Sequence, residues 1–253
     1  MKAPRVWLLD QRLLFPPAAW APDDGLLAIG GDLSPQRLLL AYRSGIFPWF
    51  NSDDDPILWH SPPERLVFRP GAFHVARSLR KAIRQHTRRE TLRLTLDQAF
   101  RLVMEGCARA PGRGADKTWI TPGMVKAYTR LHRLGHGHSV EVWNAADELV
   151  GGVYGLAIGG AFFAESMFSL QPNASKIALA ALTDHLWRHG FHFLDAQMPT
   201  DHLLSLGGTV WSRGRYLTEL ERAVRARAAD GVWEAGALAF PEGLIRRGAA
   251  GTH

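Results

Sequence analysis

The sequence predicts an α+β protein built as a small N-terminal domain followed by a larger C-terminal one, and three observations support that expectation. Between residues 74 and 134 apolar side chains recur at helical spacing. From His138 they alternate instead, so that three strands, a helix and a fourth strand follow in order. Consecutive prolines, Pro62 and Pro63, interrupt the chain ahead of both regions, which places a boundary near residue 63 and divides the chain into 1–63 and 64–253.

Taken in order, the first helix is expected from Ser34-Pro35, an N-cap with proline at the first helical position, through Leu38–Tyr42 to a stop at Gly45. The stretch "GIFPWF" leaves that helix end with three aromatics and a proline, and the polar loop "NSDDDP" follows it. Residues 74–88 give the clearest helix, because Arg77, Arg80, Lys81, Arg84 and Arg88 share one face and Val75, Leu79 and Ile83 point away from it. Two further helices are expected, over about Leu96–Cys107 and from Thr121-Pro122 to Leu134 ahead of Gly135. "HSVEVW", "ELVGGVYGLAI" and "AFFAESMF" read as a three-stranded meander with "NAAD" and "GG" turns. "NASKIALAALTDHLWRHG" reads as a helix capped by Asn173 with Gly190 past its end, and "FHFLDAQM" as the fourth strand. The tail after about Ala228 carries no motif that can be read.

A chain of 253 residues with 46% hydrophobic and 21% charged residues buries a sizeable core, and its composition excludes disordered, collagenous and disulfide-scaffold classes. A single cysteine, Cys107, cannot form an internal disulfide, and Asp10 and Arg12 interrupt any apolar leader, so a cytoplasmic location is expected. The longest charge-free apolar run, Leu149–Ala164, is short for a membrane helix and contains five glycines, so no membrane partner is expected. The formal charge of +6 is concentrated. Residues 62–93 hold nine basic side chains against two acids, while the rest of the chain holds 21 basic and 22 acidic ones. One basic stripe implies an anionic partner more strongly than a diffuse excess does.

Two carboxylates stand out by position. Glu165 lies within "AFFAESMF" and Asp195 closes "FHFLDAQM". A charge in so apolar a strand is exposed at a strand end, paired, or used, and the residues alone leave all three open. Alternation places Asp195 and Gln197 on one strand face, and Glu165 and Met167 on one face of theirs, unless a bulge intervenes. His132, His136 and His138 form H-x3-H-x-H across a helix end and a glycine turn, with no nearby Asp to complete a metal site, and read as solvent-facing loop residues. Cys107 lies on an apolar helix face and reads as a small core residue. Serine-hydrolase, P-loop and dinucleotide-binding signatures do not occur. Trp49, Phe50, Trp59 and Trp119 sit in apparent loops near the basic stripe. They suit either stacking of single-stranded bases or glue between two modules.

Taken together, "GIFPWF", "TWI", "HSVEVW", "GGVYG", "ESMFS", "NASK" and "DAQ" followed by "DHLLSLG" resemble the leucyl/phenylalanyl-tRNA-protein transferases, in family order from about Gly25 to about Tyr216. The resemblance implies transfer of leucine or phenylalanine from aminoacyl-tRNA to the N-terminal amine of proteins beginning with lysine or arginine, marking them for degradation. It implies a monomer, a GNAT-like C-terminal domain, no organic cofactor and no metal. Carried onto this sequence, it assigns Trp49 and Trp119 to the terminal adenosine and Arg77, Arg80, Lys81 and Arg84 to acceptor-stem phosphates. It assigns Val153, Met167, Leu182, Leu186 and Leu194 to the side-chain pocket, and Glu165, Asp195 and Gln197 to the reacting ester and amines. The sequence departs from the family at Thr200, where some members carry Asn. It also departs at Val153, Leu182 and Leu186, where others have methionine or phenylalanine; these positions bear on the leucine-to-phenylalanine balance.

Overall fold

The computed structural model describes residues 6–110, 118–227 and 231–247. Two sheets organise them. The smaller has the order β1-β2-β4-β3 and is built from β1 (Trp7–Leu9), β2 (Leu26–Gly30), β3 (Phe47–Pro48) and β4 (Leu58–His60), with α1 (Pro35–Arg43) between its second and third strands. Ser34 begins α1 as expected, its hydroxyl accepting from the Arg37 N–H at 3.4 Å. Gly45 ends it at φ +78°, where a Cβ would lie 2.5 Å from Leu217 Cδ2, so the turn tolerates only glycine.

The larger sheet begins with β5 (Glu64–Phe68), after which come α2 (Arg77–Arg89), β6 (Leu92–Leu96), α3 (Phe100–Ala108) and α4 (Pro122–Arg133). The meander is β7 (Gly137–Asn144), β8 (Leu149–Ile158) and β9 (Ala161–Ser169), followed by α5 (Ala174–Arg188) and β10 (Phe193–Asp195). The chain closes with α6 (Asp201–Ser205), β11 (Thr209–Ser212), α7 (Arg213–Arg225), β12 (Gly236–Ala237) and α8 (Glu242–Arg247). The strand order is β11-β5-β10-β9-β8-β7-β6-β12. β10 returns parallel to β9 through α5, whereas the other neighbours in this sheet pair antiparallel.

The α+β expectation therefore holds, with local differences. Leu92–Leu96 is a strand paired with β7, so α3 starts at Phe100 and not near Leu96. Asn173 precedes α5 at φ +69° and makes no side-chain cap, so its role is the left-handed turn rather than capping. Thr121 does cap α4, accepting from the Met124 N–H at 3.2 Å. The histidine expectation is corrected. His138 is buried in β7, its Nδ1 2.6 Å from Asp97 Oδ2 and its ring 3.8 Å from that of Trp233, while His132 stacks on Phe100 at 4.5 Å. The tail that carries Trp233 thus has a packing role, although Ala228 itself lies outside the described residues. Cys107 is buried in α3.

Each face of the large sheet buries its own core. One joins Leu66, Phe68, Ile83, Val142, Phe162, Leu182, Leu186 and Leu194 beneath α2 and α5. The other joins Val67, Phe100, Met104, Tyr128, Phe163 and Tyr216 to Tyr42, Phe47, Phe50 and Trp59 of the small sheet region, so the two sheets share one apolar interior. Trp59, an apparent loop residue in the sequence, is fully buried in β4 with its Nε1–H donating to the Gly30 carbonyl at 2.8 Å.

Candidate active site

Glu165 owes its direction to a bulge. Tyr154 pairs with Ser166 and Gly155 with Ala164, which leaves Glu165 without a cross-strand partner in the β8–β9 ladder. Gly155 is required there, because a Cβ would meet the Phe163 carbonyl oxygen at 2.1 Å. The extra residue reverses the alternation downstream. Phe163 packs in the interior shared by the two sheets, while Met167 packs against the opposite core, so the bulge is the exception under which Glu165 and Met167 do not share a face, although both line one cavity.

Around the half-buried Glu165, Tyr42 donates to Oε1 at 2.7 Å, Tyr128 to Oε2 at 3.4 Å, and the Gln197 amide Nε2 to Oε1 at 2.6 Å. The two tyrosine oxygens also lie within hydrogen-bond reach of each other, and since each phenol carries one proton it donates either to Glu165 or to the other tyrosine. Burial among these groups and the apolar strand pushes Glu165 up to about 8, and the nearby Asp195 charge acts in the same direction. The two tyrosines are driven well above their usual range by burial and by that carboxylate.

Asp195 is fully buried and paired. Arg65 meets it through an ion pair and an Nε–H donated to Oδ1 at 3.3 Å, and the Tyr216 hydroxyl donates to Oδ2 at 2.7 Å. The Arg65 guanidinium lies 4.8 Å from the Phe47 ring centre and 4.5 Å from that of Tyr216, and donates to the Gly45 carbonyl at 3.3 Å. The Asp195 Oδ1 also accepts the Gln197 N–H at 2.8 Å, which holds Gln197 at φ +60°. Gln197 therefore lies beyond β10 in a left-handed turn, not on the Asp195 face of a strand. Its side chain reaches Glu165 while Asp195 points into the interior.

A cavity of about 450 Å³ opens over this pair. It is lined by Trp49, Trp119, Glu165 and Gln197, and on its apolar side by Val153, Met167, Leu179, Met198 and Leu203. Of the side-chain pocket residues expected from the sequence, Val153 and Met167 line it, but Leu182, Leu186 and Leu194 are buried in the core and do not. Leu179, one turn before Leu182 on α5, takes that place, because helix rotation decides which leucine meets the opening. Thr200 lines the cavity and caps α6, its hydroxyl accepting from Leu203 N–H at 3.2 Å.

Trp49 is 44% exposed, whereas Phe50 is buried beside it. The segments carrying the two cavity tryptophans are tied by Asp53, whose carboxylate accepts from the Thr121 hydroxyl and from Gly123 N–H at 2.8 Å. The stripe lies on α2. Arg77, Lys81 and Arg84 are exposed, and Arg80 is half-buried and donates to the Val75 carbonyl at 3.3 Å. Sequence reasoning missed Arg65, Tyr42, Tyr128 and Tyr216, for which no local signal exists. Among the described residues no cluster of His, Cys, Asp and Glu has the make-up of a metal site, and no helix is long and apolar enough to cross a membrane.

The family model for "Leucyl/phenylalanyl-tRNA protein transferase" matches residues 67–221, and that for its N-terminal domain matches residues 31–63. A leucyl/phenylalanyl-tRNA–protein transferase of Magnetococcus marinus is 52% identical over 224 residues, covering 87% of this chain and 92% of the relative. One from Desulforapulum autotrophicum is 47% identical over 228 residues, covering 90% and 97%. Solved structures resemble the chain loosely. A GCN5-related N-acetyltransferase from Sphaerobacter thermophilus has a TM-score of 0.32 at 14% identity, covering 77% of this chain and 60% of that one. L-PGS from Bacillus licheniformis has a TM-score of 0.37 at 11% identity, covering 72% and 58%. By the extent and identity of the family matches, the chain belongs to the leucyl/phenylalanyl-tRNA protein transferase family.

Proposed function

We propose that this chain moves leucine or phenylalanine from the 3′ end of an aminoacyl-tRNA to the N-terminal amine of proteins beginning with lysine or arginine, marking them for degradation, as a cytoplasmic monomer. One observation carries the reading: two tryptophans, an aliphatic wall and a carboxyl–carboxamide pair converge on a single cavity. Trp49 and Trp119 hold the terminal adenosine. Val153, Met167, Leu179 and Leu203 receive the transferred side chain, with Leu182, Leu186 and Leu194 packed behind them. The stripe of Arg77, Arg80, Lys81 and Arg84 grips acceptor-stem phosphates. Residues 1–63 supply Tyr42 and Trp49 and residues 64–253 the remainder, so the site spans the two domains.

An aminoacyl ester is already activated, so the protein mainly aligns the acceptor amine with the ester carbonyl and manages one proton. With Glu165 ionised and the amine neutral, the amine gives up a proton to the Glu165 carboxylate as the C–N bond forms, and a carboxyl near 8 can pass that proton to the ribose oxygen as the ester C–O bond breaks. Gln197 donates one amide hydrogen to Glu165 and has a second for the ester carbonyl. Asp195 and Arg65 act as positioning residues through the Gln197 backbone. The test is to incubate the protein with tRNA charged with labelled leucine or phenylalanine and a peptide beginning with arginine. Label is expected in the peptide, and its absence would sink the reading. A non-catalytic tRNA-binding module would bind the charged tRNA without transfer, and it would have no use for the Glu165–Gln197 pair.

A further inference from the structure

Trp49 lines two cavities. Besides the one over Glu165, a second of about 360 Å³ is bounded by Trp49, Phe50, Asn51, Asp55, Leu58 and His60. Trp49 is therefore common to both, and 44% of the residue is exposed. Asn51, Asp55 and His60 contribute polar groups to the lining of the second cavity. Asn51 and Asp55 are exposed, and among the described residues their side chains have no hydrogen-bond or ion-pair partner. His60 Nδ1 is buried and makes no hydrogen bond of normal geometry among the described residues. Burial pushes His60 down, and the nearby Leu58 carbonyl, which opposes that shift, already accepts the Trp49 N–H at 2.8 Å. The cavity thus brings an exposed tryptophan together with polar side chains, the residue types that recognise a stacked base.

We propose that this second cavity holds the base of the nucleotide that precedes the terminal adenosine, with Trp49 between the two bases and the Asp55 carboxylate accepting from the exocyclic amine of a cytosine. The inference rests on the reading above that Trp49 holds the terminal adenosine. Consecutive bases of a single strand are joined by one phosphodiester and readily occupy the two faces of one ring. In every mature tRNA the preceding base is cytosine, whose N4 amine donates, whereas uracil presents an O4 acceptor there. A carboxylate favours the first and repels the second. An amide in its place can donate to O4.

Four leucylated donors test this with a peptide beginning with arginine: 3′-leucyl adenosine, its 5′-phosphate, leucylated cytidylyl-adenosine and leucylated uridylyl-adenosine. The expected result is that kcat/KM for the cytidylyl donor exceeds that for the 5′-phosphate by about tenfold, the scale of one stacked base, and exceeds that for the uridylyl donor. Asp55→Asn should move the cytidylyl-to-uridylyl ratio towards one. Ratios are taken within one protein, so a general loss of activity does not enter, and melting curves check that the exposed loop variant folds. Transfer from 3′-leucyl adenosine with no gain from the cytidine overturns the second subsite alone, as does a cytidylyl-to-uridylyl ratio that Asp55→Asn leaves unchanged. No transfer from any of the four, nor from full-length leucyl-tRNA, overturns the proposed function as well.

Discussion

At the scale of single residues, Glu165 makes the sharpest predictions. Its folded pKa of about 8 stands above the ordinary 4.5, so between those values the folded protein keeps a proton that the unfolded chain has released. The stability contributed by this group is full below about pH 4.5 and is lost as pH rises through about 8. Thermal melting across that window should show a decline that Glu165→Gln removes. On the proposed function, deprotonation of the acceptor amine and ionisation of Glu165 should both raise kcat/KM in transfer assays. The log–log slope below about pH 7 should approach about two, and fall to about one in Glu165→Gln, with kcat lowered on the order of 10²–10⁴-fold. Arg65 is a second case. Arg65→Met strands a fully buried Asp195 carboxylate and should cost about 3–5 kcal/mol in denaturant unfolding, a loss that Arg65→Met with Asp195→Leu should partly restore.

At the scale of elements, the β8–β9 bulge and the α2 stripe carry the argument. Gly155→Ala drives a Cβ into the Phe163 carbonyl. It should destabilise the protein by about 1–3 kcal/mol or more, by melting, and should lower transfer beyond what the stability change explains, because Glu165 loses its direction. Lys81 and Arg84, two of the exposed members of the stripe, suit a binding test better than Arg80, which also supports the start of its helix. Lys81→Ala with Arg84→Ala should reduce the salt dependence of tRNA binding by about two in the log–log slope, and an unchanged slope would remove the stripe from the tRNA interface. Two helix starts were legible from a hydroxyl that precedes proline, at Ser34 and Thr121, because capping is a local interaction. β6 was not legible, since its short alternating run "LRLTL" becomes a strand only by pairing with β7.

At the scale of the whole molecule, the small sheet and one face of the large sheet share an interior that includes Tyr42, Phe47, Trp59, Tyr128 and Phe163. Calorimetry of the intact chain should therefore show one cooperative transition. A fragment of residues 64–253 should melt earlier and bind hydrophobic dye, because removing the small sheet exposes that face. The sequence by itself determined the α+β class, the helices α1 and α2, the order of elements from α4 to β10, the basic face of α2, and the family, since periodicity, caps, charge spacing and motif strings are all written along the chain. Only the tertiary structure decided that Leu179 rather than Leu182 meets the cavity, that a bulge turns Glu165 against two tyrosines, and that Asp195 is spent on Arg65 and the Gln197 backbone. These depend on helix rotation, strand register and contacts between residues more than a hundred positions apart, such as Tyr42 with Glu165 and Arg65 with Asp195, for which no local pattern exists.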